Sequence, residues 1–321
     1  MRTTPFFLLA AAALALAADA PAQSFPTRPV RIIVPFPAGG PSDILTRMMG
    51  PKLTDLWGQQ VVVDNRPGAG TIIGTDLVAK AAPDGYTLVM VYTGHATNPG
   101  LHSKLPYDTL RDFAPVTLAT TLPIIVVAHP SLPAGSVKEL IALAKARPGQ
   151  IAFATSGNGS TGHLAGELFK SVARVNLLHI PYKGSAPAIA DVLGGQVAIT
   201  FDGLPAALPH VQAGKLRAIA MTSLERSPLL PDVATIAESG FPGFSSDAWF
   251  GVLAPARTPP AVVQQLNANM VKVLQLPEIR DRLVAMGYRP IANTPEQFDA
   301  FIRAEIAKWG KVIKESGARL D

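Results

Sequence analysis

Short apolar runs rich in Val and Ile alternate along the chain with longer segments whose apolar positions recur every three to four residues. The longer segments, such as 44–56 and 164–175, predict helices. The alternation is typical of α/β proteins, in which helices cover parallel-rich sheets. The short runs predict strands at residues 29–36, 60–65, 86–92, 151–156, 176–180, 197–201 and 216–222.

Two helix starts carry recognisable capping sequences. Ser136 with Glu139, and Thr294 with Gln297, have the spacing of a capping box. Pro295 follows Thr294 and fits the first position of a helix. We therefore expect helices to begin at these two places.

A chain of 321 residues is long for a single sheet, so we expect two lobes. The apolar segments 122–130 and 246–255 are predicted to cross between them. This division assigns residues 23–122 and 248–321 to lobe I, and residues 123–247 to lobe II. Two lobes joined by two strands leave a cleft, where small ligands usually bind.

The N-terminus has the pattern of a secretory signal peptide. Arg2 precedes an apolar run at 6–18, and Ala20-Pro21-Ala22 supplies small residues for cleavage near Ala22. The run is shorter than the roughly 20 residues that span a bilayer. The chain has no cysteine, so it can form neither a disulfide nor a lipidated N-terminal thiol. We expect signal peptide 1–22 to be removed, leaving a periplasmic protein that is not membrane-anchored.

Composition excludes several classes of protein. Apolar residues make up 48% and charged residues 16%, which indicates a folded protein with a large core. The formal net charge is +5, and Lys and Arg are scattered rather than clustered. No nucleic-acid partner is expected, because such binding needs a basic face.

The first of three glycine-rich turns follows the first predicted strand. Ala38, Gly39 and Gly40 precede Ser42 and Asp43, either of which could cap the next helix. Backbone amides of such a turn, together with the helix dipole, can bind an anion without Lys or Arg. Asp43 would repel that anion unless it caps the helix or meets a cationic part of the ligand.

The second turn, at 156–163, places Gly157, Gly159 and Gly162 in a GxGxxG spacing. A dinucleotide site needs an acidic residue about 20 positions later, where Tyr182-Lys183 stands instead. A serine nucleophile at Ser160 would need glycine two residues before it, and Asn158 occupies that position. Hydroxyl groups beside free amides suit a carboxylate better; they belong to Ser156, Ser160 and Thr161.

Other polar residues give weaker signals. The third turn, at 64–74, is interpreted mainly as packing. Thr93 and His95 follow a predicted strand and would face the same cleft if the sheet is parallel. The histidines and aspartates have no metal-ligand spacing, so we predict no metal, no cofactor and no catalytic residue.

Several longer motifs resemble the Bug family, the substrate-binding proteins of tripartite tricarboxylate transporters. The resemblance runs from about Phe25 to the C-terminus. The motifs, in order, are VPFPAGGPSD, VVVDNRPGAGTIIGTDLVAKAAPDGYTL, PYKGSAPAIADVLGGQVAITFD, GKLRAIAMTS and WFGVLAPARTP.

The resemblance implies a two-lobed periplasmic binding protein, type II-like, that closes on a small organic anion. One loop from each lobe would hold a carboxylate. The first-lobe residues implied are Phe36, Ala38, Gly39, Gly40 and Asp43, with Thr93 and His95 nearby. Those of the second lobe are Ser156, Gly157, Gly159, Ser160, Thr161 and His163, with Tyr182, Lys183 and Asp202 at the edge.

The function predicted is capture of a small carboxylate by hinge closure and its delivery to a membrane permease, with the receptor a monomer. Two alternatives remain at this point. The loaded receptor could instead signal to a membrane sensor kinase, or the chain could be a secreted hydrolase.

Overall fold

The computed structural model describes residues 25–320, so the predicted signal peptide lies outside the described residues. Eleven strands occur in this range: β1 (Val30–Val34), β2 (Val61–Asn65), β3 (Thr87–Tyr92), β4 (Phe113–Leu122), β5 (Ile124–Ala128), β6 (Ala152–Thr155), β7 (Leu178–Pro181), β8 (Ile199–Gly203), β9 (Arg217–Met221), β10 (Ala248–Pro255) and β11 (Arg289–Pro290).

Ten α-helices and one 3₁₀ turn (Ala69–Thr71) lie in the same described range. The α-helices are α1 (Pro41–Trp57), α2 (Ile72–Ala79), α3 (Gly94–Leu101), α4 (Val137–Ala146), α5 (Thr161–Ala173), α6 (Ser185–Leu193), α7 (Leu204–Gln212), α8 (Pro260–Leu274), α9 (Pro277–Ala285) and α10 (Pro295–Ser316).

The strands form two mixed sheets. The first has the order β11-β4-β10-β3-β1-β2, and the second has the order β7-β6-β8-β5-β9. The predicted parallel pairing holds where strands alternate with helices: β1 pairs with β2 and β3, and β6 pairs with β7 and β8. The strands that begin or end the connections between the sheets pair antiparallel instead: β4 with β10, and β5 with β8 and β9.

Strand β4 is one of the two strands that the hydrophobic pattern missed, the other being the two-residue β11. Its sequence, FAPVTLATTL, contains a proline and four threonine or alanine positions near its end, without apolar alternation. It is nevertheless mostly buried, because β10 and β11 pair with its two edges. The strand is therefore fixed by its neighbours rather than by its own side-chain pattern.

Each sheet buries both faces, as expected for strands covered by helices on both sides. In the first sheet, Ile32 and Leu45 of α1 pack in one cluster. Adjacent Ile33 packs in another cluster with Trp309 of α10. Successive side chains of a strand point to opposite faces, so alternate residues join different layers.

The helix starts agree with the capping predictions, with one difference. Thr294 and Gln297 form a complete capping box, and Pro295 occupies the first turn of α10. Ser136 accepts a hydrogen bond from the Glu139 amide, but the Glu139 carboxylate accepts from the Gly135 amide instead of the Ser136 amide. The box at α4 is therefore only half formed, because Glu139 bonds one residue earlier.

The two connections between the sheets lie side by side. Pro123 alone separates β4 from β5, and residues 222–247 lead from β9 to β10. Thr222 bonds to β5 and to the far end of its own connection: its amide donates to the Ile124 carbonyl at 2.9 Å, and its hydroxyl donates to the Ser246 carbonyl at 2.8 Å. These bonds hold both ends of the second connection beside the start of β5.

Helices from the two sheets also contact each other. Leu164 of α5 lies in the same cluster as Trp309 of α10. The Ser171 hydroxyl of α5 donates to Glu315 of α10 at 3.0 Å. The first turn of α5 is therefore positioned by both halves of the molecule.

Asp247 sits in the second connection, where its charge is unfavourable. Burial raises the pKa of Asp247 to about 7 and Glu305 adds to this, whereas Lys308, Arg289 and Thr222 act in the opposite direction. A raised pKa means that the folded protein retains a proton that the unfolded chain has released. Folding stability should then fall as pH rises from about 4 to about 7 and stay low above it.

We predict that Asp247→Asn increases the free energy of unfolding at pH 8 by about 2 to 3 kcal/mol more than at pH 4, because the amide stays neutral. Urea unfolding at both pH values measures this difference. Asp281→Asn, at an exposed position beside Arg280, is the control and should show little change. Equal effects of Asp247→Asn at the two pH values would contradict the prediction.

Candidate functional site

A cavity of about 680 Å³ lies between the two sheets. Both sheets contribute to its wall: the turn after β1 and the start of α1 on one side, and the turn after β6 and the end of β8 on the other. The strand residues that flank the two connections border it as well, namely Leu122, Ile124 and Ala248. The cavity therefore occupies the cleft that two crossing strands predict.

On the first-sheet side, the turn after β1 leads into the N-terminus of α1. Gly39 has a φ of +85°, a conformation that favours glycine. Pro41 occupies the first turn of α1, and Ser42 lines the cavity. Amides in a helix's first turn have no acceptor within the helix, and the dipole makes this end positive. The Ser42 amide is therefore placed to donate to an anion.

Asp43 holds this turn in place. Its carboxylate accepts hydrogen bonds from the Gly39 amide at 2.8 Å, from Arg47 Nε at 2.9 Å and from Asn65 Nδ2 at 2.9 Å. Burial opposes its ionisation, but the bonds from Arg47, Gly39 and Asn65 outweigh burial and hold the pKa of Asp43 below its usual value.

These contacts differ from what the sequence predicted for this turn. Gly40, not Ser42 or Asp43, is the N-cap of α1. The Gly39 amide donates to Asp43, so it is not directed outward as the glycine turn suggested. Asp43 does not line the cavity.

On the second-sheet side, α5 begins after the N-cap residue Ser160, whose hydroxyl accepts from the His163 amide at 3.2 Å. Thr161 and Gly162 form the first turn and line the cavity. A Cβ on Gly162 would lie 2.2 Å from the carbonyl oxygen of Phe201, so only glycine fits there. This close approach brings the first turn of α5 against the end of β8.

Asp202, the next residue along β8, borders the same cavity and is only 5% exposed. Its Oδ1 accepts from the Ser185 hydroxyl and from the Gly203 amide, both at 2.7 Å. Burial raises the pKa of Asp202, although these two hydrogen bonds act to lower it. Its Oδ2 is buried without a hydrogen-bond partner among residues 25–320.

The remaining wall is apolar and aromatic. Phe36 and Tyr92 meet edge to face with ring centroids 4.7 Å apart, and Phe250 lies 5.9 Å from Tyr288. Burial raises the pKa of Tyr92 and of Tyr288 to about 12, so both phenols are neutral at ordinary pH. Within residues 25–320, no Lys, Arg or His lines the cavity.

The structure brings together part of the set of residues singled out in the sequence. The predicted residues that line the cavity are Phe36, Gly39, Ser156, Ser160, Thr161 and Asp202. Those that lie outside its lining are Ala38, Gly40, Asp43, Thr93, His95, Gly157, Gly159, His163, Tyr182 and Lys183.

Thr93 and His95 lie in the core because α3 begins immediately after β3. The Thr93 hydroxyl accepts from the Trp249 amide at 3.2 Å. His95 Nε2 lies 3.2 Å from the carbonyl oxygen of Thr109, and its ring contacts Phe113. Burial lowers the pKa of His95 to about 4, so it is a neutral core residue.

The polar residues around α5 pair among themselves. His163 Nδ1 accepts a hydrogen bond from the Gly159 amide at 3.0 Å. The His163 ring stacks on the His179 ring, with the two ring centroids 4.1 Å apart. Burial, with His163 and Lys170 nearby, lowers the pKa of His179 to about 3. The Tyr182 hydroxyl donates to Asp191 at 2.5 Å. These side chains therefore contact neighbouring residues and do not line the cavity.

Sequence reasoning missed several lining residues. Ser185 follows a glycine turn, and that signal could have indicated it. The predicted crossings could likewise have indicated Leu122, Ile124, Ala248 and Phe250. Pro41, Ser42 and Gly162 stand in or beside the first two glycine turns, and that signal could have indicated them. No local signal marks the others, which are Ile44, Tyr92, Gly203, Pro205, Ala206, Leu208, Pro209, Ala285, Met286 and Tyr288.

Within the described range, no three His, Asp or Glu side chains are grouped so that they could bind a metal ion. No helix in residues 25–320 is long and apolar enough to cross a bilayer.

Residues 45–318 match the family model described as the tripartite tricarboxylate transporter family receptor. The chain is 43% identical to Protein BugT of Bordetella pertussis over 307 residues, which cover 95% of this chain and 94% of that protein.

Solved structures show the same fold. Rpa4515 of R. palustris, determined with adipate, is 40% identical with a TM-score of 0.79, covering 91% of this chain and 98% of that one. The periplasmic binding protein BugD is 36% identical with a TM-score of 0.76, over 92% and 99%. MatC from Rhodopseudomonas palustris, with bound malate, is 33% identical with a TM-score of 0.75, over 90% and 100%.

The two mixed sheets with flanking helices are thus those of a periplasmic binding protein, which confirms the predicted fold class. The chain belongs to the tripartite tricarboxylate transporter receptor family. This is a family of binding proteins rather than enzymes, as predicted, and the hydrolase alternative is set aside.

We predict that Asp43→Ala lowers the free energy of unfolding by about 1.5 to 3 kcal/mol, because it removes a buried charged acceptor and with it the hydrogen bonds from Gly39, Arg47 and Asn65. Asp299→Ala is a matched control: Asp299 also pairs with an Arg four residues later, but on an exposed face. Its loss should cost about 0.5 kcal/mol or less. Urea unfolding measures both, and equal losses would mean that Asp43 does not hold the turn.

Proposed function

We propose that this chain is a periplasmic receptor that captures a small organic carboxylate by hinge closure and delivers it to membrane permease subunits. The observation that carries the proposal is the pair of helix N-termini, α1 and α5, that border one cavity from opposite sheets. Such termini bind anions through amides and the helix dipole, without a cation.

The relatives support a carboxylate as the ligand. Rpa4515 was determined with adipate and MatC with malate, and both acids carry two carboxylates. The family description supports a permease as the partner. In this proposal no covalent bond is made or broken, and closure excludes water so that each hydrogen bond to the anion becomes stronger.

Hinge closure requires two bodies and a flexible connection. We assign residues 23–122 and 248–321 to one lobe and residues 123–247 to the other, so that the two adjacent connections form the hinge. The assignment is supported by the composition of the sheets, since β5 to β9 form the second sheet and the other strands form the first. We further propose that residues 1–22 are a signal peptide cleaved near Ala22, and that the mature receptor is a monomer.

A panel of organic acids tests the capture step. We predict that at least one small carboxylate raises the melting temperature, because a ligand at 100 times its dissociation constant stabilises the folded state by about 2.7 kcal/mol. The same ligand should decrease the radius of gyration in solution scattering as the lobes close. If no acid in the panel shifts the melting temperature, capture of a carboxylate is wrong.

A space-filling substitution tests the location. Ala206, on α7, lines the cavity and is half-buried. We predict that Ala206→Trp weakens binding at least a hundredfold, because the indole occupies the ligand's volume. Ala190→Trp, on an exposed face of α6, is the control. Calorimetric titration measures both; unchanged affinity in Ala206→Trp would place the ligand elsewhere.

A further inference from the structure

Asp202 is the one charged side chain that borders the cavity among residues 25–320. It is buried, and the bonds from Ser185 and Gly203 both go to Oδ1, so Oδ2 has no partner in the described chain. A buried acceptor without a hydrogen-bond donor costs free energy. A ligand that supplies the missing donor recovers that cost, and this adds to its binding free energy.

The proposed anion position is packed against the end of the strand that carries Asp202. Gly162, in the first turn of α5, packs against the carbonyl of Phe201, and Asp202 follows Phe201 directly. A carboxylate on the amides of Thr161 and Gly162 would therefore have Asp202 as a close neighbour. Two carboxylates side by side repel each other. A hydrogen-bond donor on the ligand, close to its carboxylate, removes that conflict.

The rest of the cavity sets the nature of the ligand's body. Phe36, Tyr92, Phe250 and Tyr288 supply aromatic faces, and Leu208 and Met286 add aliphatic surface. No cation in the described lining could neutralise a second carboxylate. An apolar group fits this wall, because apolar surface gains free energy when it leaves water.

From these three features we infer that the receptor selects a carboxylic acid with an apolar body and a hydrogen-bond donor, hydroxyl or ammonium, on the carbon next to the carboxylate. Asp202 is the specificity-determining residue, and its Oδ2 accepts from that donor. The inference rests on the proposed function, because it takes the carboxylate to bind at the N-terminus of α5.

Two matched series of acids test the inference. The aromatic series is phenylalanine, 3-phenyllactate and 3-phenylpropanoate, and the aliphatic series is leucine, 2-hydroxy-4-methylpentanoate and 4-methylpentanoate. Within each series only the substituent next to the carboxylate changes. Calorimetric titration should show that an acid with a donor binds on the order of ten- to a hundredfold more tightly than the acid without one. Comparing the amino with the hydroxy acid then identifies the donor.

Asp202→Asn should abolish that preference, because its amide nitrogen would donate rather than accept. The unsubstituted acid should bind this variant more tightly than it binds the unmodified protein, because the charge that repels its carboxylate is gone. Asp191→Asn is the matched control: Asp191 lies on α6 and pairs with Tyr182 outside the cavity lining. It should leave the preference intact.

The outcomes separate this inference from the proposed function. The inference is overturned if the unsubstituted acids bind as tightly as their substituted partners, if Asp202→Asn weakens all members of a series equally, or if only acids outside both series bind, such as adipate. In those cases carboxylate capture still stands. If no carboxylate binds at all, the proposed function fails. If Asp202→Asn does not fold, the order of affinities that the acids of each series show for the unmodified protein still tests the inference.

Discussion

The site depends on one constraint: two helices from different sheets must present their first turns to the same cavity. Amides at a helix start are fixed by the backbone, so a ligand finds them already oriented and without a bulky cation. Such donors are effective only where water is excluded. In the proposed function, closure around the ligand provides that exclusion.

Other features serve to place those two turns. On the first-sheet side, the Asp43 carboxylate accepts hydrogen bonds from Gly39, Arg47 and Asn65, and these bonds fix the turn before α1. On the second-sheet side, the close approach of Gly162 to Phe201 sets the distance between α5 and β8. A buried carboxylate thus acts as a structural residue at one turn, whereas Asp202 keeps an unpaired oxygen at the other.

Thr222 bonds both ends of the second connection beside β5, next to the cavity. Residues that flank the connections also form part of the proposed binding wall, as Leu122, Ile124 and Ala248 do. Contacts between α5 and α10 add a second link between the halves. The movement of one sheet against the other that the proposed closure requires would change the shape of the cavity directly.

The sequence by itself determined the strands with continuous apolar runs, the capping box at Thr294, the crossings and the glycine turns that border the cavity. These features depend on the order of apolar and polar side chains over a few residues, and on glycine where the backbone must turn, so residues close in sequence specify them. Its motifs also identified the family. Tertiary structure alone decided that β4 is a strand and that Thr93 and His95 lie in the core. It also decided that the carboxylate of Asp43 is fully hydrogen-bonded at its own turn, whereas Asp202 keeps an oxygen without a partner in the described chain. Those outcomes depend on which distant backbone or side chain occupies the neighbouring space, and no local spacing along the chain encodes that.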